Sequence, residues 1–405
     1  MAEGLSEGFS FSQFKVFRDE GKLSPEYVPS SLPHREAQLK ELSSFFRVFL
    51  EAPGSFFVKV WLVGGVGTGK TATSKRLGYL LEREARRRGV DVRYVHVNCY
   101  KDRTFFVVAK RIAQRVLPSI PERGFSAQEL LEMAWKALED QDAYLVAALD
   151  EVDYMVKAVG EAPLYALSRV SDERLNVPQR LGLMLISRSH PSTYGLSESV
   201  SSSSAHNLVR FEPYTSSQLL DILEDRVPEA FVEGAVTKEA LSLIADLAGV
   251  DGHGSGDARY ALELLWRAGR LAEARRLRRI DPELVREVYA QTHPLLSRED
   301  LYQLTRHELL LLLSVARVLR RTCKAYGTTG EVEREYVDVC RAYSEAARRH
   351  TQVWLMIRRL KEAGYLHTKV TGGAGGRTTL IGLIDVQASL LEQRVEEVLK
   401  TGKGR

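Results

Sequence analysis

Eight consecutive residues, Gly64-Gly65-Val66-Gly67-Thr68-Gly69-Lys70-Thr71, have types and spacing that suit phosphate chemistry. They match GxxxxGK[ST] between an apolar run and an amphipathic stretch, the strand–loop–helix setting in which that spacing cradles phosphates. Glycines let the backbone curl so that several N–H groups converge on one anion. The helix start adds partial positive charge, and Lys70 reaches the outer phosphates of a nucleotide. The Thr71 hydroxyl is then placed to ligate Mg²⁺. A plain Gly-rich turn accounts for the glycines, but not for strand, helix and Lys-Thr together.

The second chemical cluster is Asp150-Glu151, which ends the apolar run Leu145-Val146-Ala147-Ala148-Leu149. Beside a phosphate loop, Asp150 would hold magnesium through water and Glu151 would polarise the attacking water. Taken alone, the pair reads first as an acidic strand end capping the next helix, since such ends are common; the phosphate loop shifts the reading to magnesium and water. Phosphoryl transfer depends on positioning and charge neutralisation, so a further cation is needed at the γ-phosphate. Arg259, in Gly256-Asp257-Ala258-Arg259, is one candidate, in the first turn of a helix; a solvated surface arginine is the competing reading.

These groups need elements to position them. A strand from Phe57 to Val63, the glycine loop, a helix from Lys70 to about Arg88 and a strand from Val92 to Val97 make a parallel βαβ unit. Helices follow at Arg103 to Val116 and Ser126 to Leu138, then the buried strand Ala143 to Leu149, a helix at Pro163 to Val170 and a strand from Leu181 to Ile186. The pattern predicts an α/β P-loop domain, a parallel sheet with helices, over residues 21–212, behind a polar tail of residues 1–20 able to dock onto the body. The Ser-rich stretch 197–204 reads as a loop. Beyond Pro213, helices capped by Ser216, Thr237, Asp257 and Asp281-Pro282 predict a small all-helical lid domain over 213–296. Residues 297–405 read as a winged-helix domain: helices at Leu304 to Arg320, Val332 to Tyr343 and Arg349 to Ala363, then a hairpin from Tyr365 to Val370 and Thr378 to Ile384.

Charge is distributed unevenly. The 405 residues carry a net +4, but residues 301–405 hold 18 basic and 11 acidic side chains, leaving the first 300 at −3. A basic module usually meets nucleic acid or an anionic membrane. No run approaches a membrane span and the N-terminus lacks a signal peptide's regions, so the expectation is a soluble intracellular protein. Three cysteines, Cys99, Cys323 and Cys340, form no CxxC pair and predict buried reduced thiols instead of zinc or disulfides.

Residues 341–377 alone carry +6. In the stretch from Arg348 to Leu360, Val353, Trp354, Ile357 and Leu360 recur at helical spacing and predict the buried face. Arg349, Gln352, Met356 and Arg359 fall nearer the other face, which suits a recognition helix reading base edges in the major groove. Arg358 and Lys369 add charge. Gly373, within Gly372-Gly373-Ala374-Gly375-Gly376-Arg377, suits a wing tip whose backbone approaches phosphates or a minor groove, with Arg377 supplying charge. The alternative is a winged helix that binds protein and merely solvates its basic face.

The P-loop, the Asp-Glu strand end and the helix opening with Gly-Asp-Ala-Arg together resemble the AAA+ ATPases, with Arg259 at their sensor-two position. Adding Tyr27-Val28-Pro29, Leu32-Pro33-His34-Arg35-Glu36, Asp150-Glu151-Val152-Asp153, Pro213-Tyr214-Thr215 and the C-terminal winged helix, the chain resembles archaeal replication initiators of the origin-recognition and cell-division-control type, from about residue 21 to the wing. The resemblance implies ATP/ADP and Mg²⁺ as cofactors, and Val28, Pro29 and Arg35 lining or flanking an adenine pocket. It further implies a DNA-touching insertion over residues 98–116, where Lys101, Arg103, Lys110, Arg111 and Arg115 are the cations; a solvated helix face explains them as well. The partners implied are double-stranded origin DNA, a replicative helicase and another initiator subunit, with no membrane; the place implied is the cytoplasm, associated with the nucleoid.

Two departures from that family's pattern bear on turnover. Arg188 stands where an Asn is usual, as a catalytic candidate that would partly substitute for it at the γ-phosphate, and Glu198-Ser199-Val200 stands where a neighbour-directed finger arginine is usual, so the expectation is a weak ATPase and a slow nucleotide switch. A nucleotide-regulated winged-helix transcription factor is the competing whole-protein reading. A DNA-directed motor or clamp loader is disfavoured, because those need efficient fingers.

Overall fold

The apolar run that ends at Leu149 forms β3 (Ala143–Asp150), and all eight residues are buried, as a strand covered on both faces requires. The computed structural model describes residues 15–120, 124–169, 177–196, 207–292, 301–373, 376–383 and 386–401. Beside β3 lie β1 (Val58–Gly64), β2 (Asp91–Asn98), β4 (Leu181–Ser187) and β5 (Leu208–Phe211), in the order β2-β3-β4-β1-β5. Every neighbouring pair is parallel, so each connection must cross over a face of the sheet. On one face Leu42 and Phe46 of helix Glu36–Phe46 and Leu77 and Leu81 of helix Lys70–Arg87 pack on Val60, Leu62 and Val146. On the other, Ile112, Trp135 and Met155 pack on Leu145, Leu183 and Leu185.

Among the described residues the expected elements are present with small boundary shifts, and a helix behind the acidic strand end is one that the sequence reading misses. The sequence reading places the first helix after β3 at Pro163. In the structure a helix already runs over Val152–Val159, directly behind the acidic strand end, and a second over Ala162–Arg169.

The chain divides into two compact units: Glu26–Tyr214 with Ser255–Ala258, and the remainder. In the second unit the lid helices are Ser216–Ala230, Lys238–Ala248, Ala258–Ala274 (from Arg259 onward) and Pro282–Thr292. The first is capped by Thr215, whose side chain accepts from the Gln218 N–H in a capping box, so the cap lies one residue before the Ser216 expected. Thr237 caps the second as expected, and Asp281 Oδ1 accepts the Leu284 N–H at 3.0 Å. Residues 15–25 pack on this lid. Phe17 lies 4.8 Å from the Phe231 ring, the Val16 N–H donates to Glu273, and Arg226 donates to the Lys22 carbonyl. The sequence boundary at residue 20 falls inside that docked segment.

The winged helix is built around helix Arg306–Thr322, whose residues Leu309 to Leu313 and Leu319 are all fully buried. Helices Thr329–Ala342 and His350–Glu362 pack with it in one core. A three-stranded sheet follows, β6 (Gly327–Thr328), β7 (His367–Gly373) and β8 (Gly376–Gly382), in the order β6-β8-β7. A helix absent from the sequence reading, Ala388–Thr401, closes the core with Leu391, Val395 and Val398. Its Glu392 and Glu396 accept from Arg317 at 3.1 and 2.8 Å. Cys99 and Cys340 are buried, but Cys323 is exposed, because it is the left-handed residue (φ 53°) that ends helix Arg306–Thr322.

Lid and winged helix are joined by buried polar groups. Arg286, on the last lid helix, is fully buried. Its guanidinium donates to the carbonyls of Leu383 (3.3 Å) and Ala325 (2.7 Å) and pairs with Glu283. Glu283 in turn accepts the Ala388 N–H at 2.8 Å. Asp246, 3% exposed, accepts from the Tyr326 hydroxyl and the Lys369 ammonium, both at 2.8 Å. Beside it His253 and His367 meet ring to ring. Burial and the neighbouring imidazole push His367 down to about 4.

Removing one member of a buried ion pair leaves the other charged and unpaired, at a cost of about 3–5 kcal/mol. Arg286→Ala is therefore expected to destabilise the second unit by roughly 3 kcal/mol, read from the guanidinium midpoint of that unit's transition. A loss below about 1 kcal/mol would show that water replaces the guanidinium at this junction.

Candidate nucleotide site and nucleic-acid interface

The loop between β1 and helix Lys70–Arg87 takes a shape that the sequence permits only through glycine. Gly67 and Gly69 have φ of +67° and +90°, a region open to glycine at little cost. A Cβ at Gly67 would sit 1.6 Å from Asp257 Oδ1, and one at Gly69 would sit 2.8 Å from the Tyr214 hydroxyl. Lys70 lies over the loop, its ammonium donating to the carbonyls of Gly64 at 2.7 Å and Gly65 at 2.5 Å. Val66 is exposed at the apex, and Thr68, 1% exposed, donates to the Gly65 carbonyl.

Arg35 holds the loop from below. It is 4% exposed and donates from Nε to the Thr68 carbonyl at 2.8 Å, and from its two terminal nitrogens to His34 and Glu212 carbonyls at 2.8 and 2.7 Å. Its guanidinium carbon stacks 3.8 Å from the Tyr214 ring centroid. The sequence reading puts Arg35 beside an adenine pocket; in the structure these donors are committed to backbone carbonyls that fix the loop's curvature. Val28 and Pro29 lie half-buried in an extended stretch before it.

Parallel pairing brings the acidic strand end to the loop. Strand β4 separates β1 from β3, yet the Thr71 hydroxyl donates to Asp150 Oδ2 at 2.6 Å. On the other side His96 of β2, which the sequence reading passed over, places Nε2 3.3 Å from the same oxygen. The Glu151 N–H donates to Asp150 Oδ1 at 2.9 Å. Asp150 is 5% exposed. Burial opposes its ionisation, but hydrogen bonds from His96 and Thr71, the His96 charge and the Glu151 N–H prevail and hold its carboxyl below the ordinary value. A hydroxyl and an ionised carboxylate are hard oxygen donors suited to Mg²⁺ with retained waters, so this donor set fits the ion. A glycine loop with no room for Cβ atoms, closed by a lysine, fits phosphates.

Glu151 follows at φ 55°, and Arg188, at the end of β4, donates to its Oε1 at 3.3 Å. Arg188 is 54% exposed and Glu151 30%, so the pair is worth about 0–1 kcal/mol of stability; its effect is on where Glu151 points. Residues 197–206, including Ser199, lie outside the described residues. Asp257 and Ala258 lie on the P-loop, the Ala258 N–H donating to the Gly67 carbonyl at 3.2 Å, while Arg259, exposed, begins the next part of the second unit.

The basic residues separate into committed and available charges. In helix Phe105–Val116, Arg111 pairs with Asp102 at 3.2 Å and Arg115 with Glu82 at 2.7 Å, so their charge is used within the domain. Lys101 and Arg103, on the loop before that helix, are exposed; Lys101 lies 3.7 Å from Glu26, and Arg103 sits over the Tyr100 ring. Lys369 is half exposed but salt-bridged to buried Asp246. Arg349 and Gln352 are exposed at the start of helix His350–Glu362; near its end Arg358 and Arg359 are 71% and 75% exposed, Arg358 pairing along the helix with Glu362 at 3.0 Å and Arg359 lying 3.9 Å from Glu308. Trp354 departs from the expected buried face: Val353, Ile357 and Leu360 are buried, and Trp354 is 41% exposed. Gly373 pairs with Gly376 at the end of the hairpin. Residues 374 and 375 and the side chain of Arg377 lie outside the described residues.

Among the described residues no helix is long and apolar enough to cross a membrane. The AAA domain model matches residues 60–187, the Cdc6 AAA+ ATPase-type lid domain model residues 220–290, and the Cdc6 C-terminal winged helix domain model residues 299–393. The ORC1-type DNA replication protein 2 of Sulfurisphaera tokodaii is 38% identical over 373 residues, spanning 91% of this chain and 89% of that one. The ORC1-type DNA replication protein 1 of Aeropyrum pernix is 35% identical over 328 residues, 80% of each chain. Among solved structures, Cdc6p of Pyrobaculum aerophilum superposes with a TM-score of 0.81 at 30% identity, covering 96% of this chain and 99% of that one. The Aeropyrum pernix ORC1 protein, solved in complex with DNA, gives 0.61 at 32% identity, over 94% and 97%. With an AAA domain, a Cdc6-type lid and a Cdc6-type winged helix in this order, and with relatives of that identity along nearly its whole length, the chain belongs to the ORC1/Cdc6 family of archaeal DNA replication initiators.

Proposed function

We propose that this chain is a nucleotide-switched initiator: it binds ATP or ADP with Mg²⁺ at the P-loop, hydrolyses ATP slowly, and binds duplex origin DNA through its winged helix. It then helps to load a replicative helicase, alone or beside another initiator subunit. The observation that supports the nucleotide half is the 2.6 Å contact between Thr71 and Asp150, a hydroxyl and a carboxylate of the hard-donor kind that Mg²⁺ takes, beside the glycine loop. The DNA half rests on the exposed cations of helix His350–Glu362 and on the Aeropyrum pernix relative that was solved with DNA.

When bound, Mg²⁺ supplies charge neutralisation at the phosphates. The chain's own residues do the rest. Lys70 exchanges loop carbonyls for phosphate oxygens, and Glu151 orients a water. Slow turnover follows from the pairing of Arg188 with Glu151, which holds the water-orienting carboxylate against a cation.

Lys70→Ala is expected to weaken nucleotide binding at least tenfold, seen by titration with a fluorescent ADP, with the melting temperature of the unliganded chain unchanged within about 2 °C. Unchanged affinity would remove the P-loop assignment.

Glu151→Gln should suppress hydrolysis while leaving ATP affinity within about twofold. Arg188→Asn should raise kcat several-fold with KM nearly unchanged, because the carboxylate is released; single-turnover assays separate the two variants. A fall in kcat for Arg188→Asn would instead mean that the arginine acts on the phosphates.

Duplex binding by this chain should weaken with salt at a log–log slope of roughly −0.9 per phosphate contacted. Arg359→Ala should reduce that slope by about one, measured by fluorescence anisotropy from low to physiological salt; an unchanged slope would take the helix off the DNA.

A further inference from the structure

Helix His350–Glu362 exposes two large apolar side chains that its own fold does not use. Val353, Ile357 and Leu360 turn into the winged-helix core, each 2% exposed or less, while Trp354 is 41% and Leu355 54% exposed. One exposed leucine would need no explanation. Here the two are adjacent, and at helical spacing Gln352 precedes Leu355 by three residues while Arg358 and Arg359 follow it by three and four. Gln352 is exposed, and the two arginines are 71% and 75% exposed; Arg358 pairs with Glu362 at 3.0 Å and Arg359 lies 3.9 Å from Glu308, exposed pairs worth about 0–1 kcal/mol that a phosphate can displace. The apolar pair therefore forms the middle of a surface whose margins hydrogen-bond and carry positive charge.

That composition selects its occupant. A second copy of the same basic face would be repelled, and an apolar protein groove would leave the flanking guanidiniums desolvated. A duplex satisfies both parts: phosphates and base-edge acceptors meet Arg and Gln, and in the major groove thymine alone among the four bases adds a methyl group. An apolar side chain facing a groove gains most there. We infer that Leu355, supported by Trp354, is a specificity-determining contact that selects thymine by its 5-methyl group, placed between the hydrogen-bonding side chains Gln352 and Arg359. The inference rests on the duplex-binding reading above and adds to it a residue and the chemical group that it reads.

The test uses the full chain and the tightest duplex recovered by in vitro selection with it. Each thymine of that duplex is replaced in turn by deoxyuridine, which deletes one methyl and keeps every hydrogen-bonding group and charge. Titrations at fixed salt are expected to show one or two thymines at which the replacement weakens binding about fourfold, the equivalent of about 0.8 kcal/mol for one buried methyl-sized group. Leu355→Ala should weaken binding to the thymine duplex by a similar factor and abolish the difference between thymine and uracil at that position. Gln352→Ala should weaken both duplexes alike and preserve the difference. Thermal melts confirm that the exposed substitutions leave the fold intact.

Equal binding of all uracil-substituted duplexes, or a thymine–uracil difference that survives Leu355→Ala, overturns the inference. If Leu355→Ala is silent while Arg359→Ala weakens binding, the helix still meets DNA and only the methyl contact is lost as an idea. If Leu355→Ala, Gln352→Ala and Arg359→Ala are all silent, the duplex-binding reading of this helix falls with it. A Leu355→Ala variant that keeps full DNA affinity but loses self-association assigns the apolar pair to a protein contact, which also overturns it.

Discussion

A carboxylate buried at the end of β3 is the constraint around which the first unit is arranged. Taking an ion such as Asp150 out of water costs several kcal/mol unless partners replace the water. Its partners come from three places in the chain: the Thr71 hydroxyl from the helix after β1, the His96 ring from β2 and the N–H of Glu151. The Glu151 N–H is Asp150's neighbour in the chain, but the hydroxyl and the ring come to it through the parallel order β2-β3-β4-β1, so the sheet topology and the charge satisfy one another. Because the folded carboxyl is held below its ordinary value, the pairing contributes stability at neutral pH. The contribution is lost as the pH falls below the ordinary carboxylate range towards the folded value.

The loop above it is stabilised by a different device. Glycines at positive φ let the backbone turn, but they do not hold it there. Arg35 does that, by donating to the Thr68 carbonyl from beneath and stacking on Tyr214. The loop's curvature is thus held by an arginine and not by the glycines that permit it. In the second unit the polar cement is Arg286 and Asp246, which tie the last lid helix and the end of helix Lys238–Ala248 to the winged-helix sheet. The helix that begins with Arg259 and the helix that carries Arg358 and Arg359 consequently belong to one body. Buried hydrogen bonds thus join the lid to the winged helix within that unit.

Much of this was legible before any coordinates. The P-loop, the acidic strand end, the parallel alternation and the three-helix-plus-hairpin pattern of the last third all follow from local regularities: glycine spacing, apolar runs and periods of two or 3.6. Elements were missed where those signals were weak or interrupted. Helix Val152–Val159 starts within one residue of a strand, with no cap to announce it, and helix Ala388–Thr401 lies beyond the hairpin where the winged-helix pattern seemed complete. Its spacing of Leu391, Val395 and Val398 would have revealed it.

Side-chain commitments were not legible, because each depends on a partner far away in the chain. Position 96 sits in an ordinary alternating strand, and only pairing with β3 makes it a neighbour of Asp150. Lys369 looks like a wing cation until Asp246, 123 residues earlier, takes its charge. Trp354 fits a buried helical stripe by spacing, yet the core is filled by Val353, Ile357 and Leu360 and closed without it. Sequence alone therefore determined the fold class, the order of the modules and the place of the glycine loop between strand and helix, all of which are written in contacts between near neighbours. Tertiary structure decided which charges are spent inside the protein and which face outward, because pairing across tens or hundreds of residues is set by packing and not by spacing.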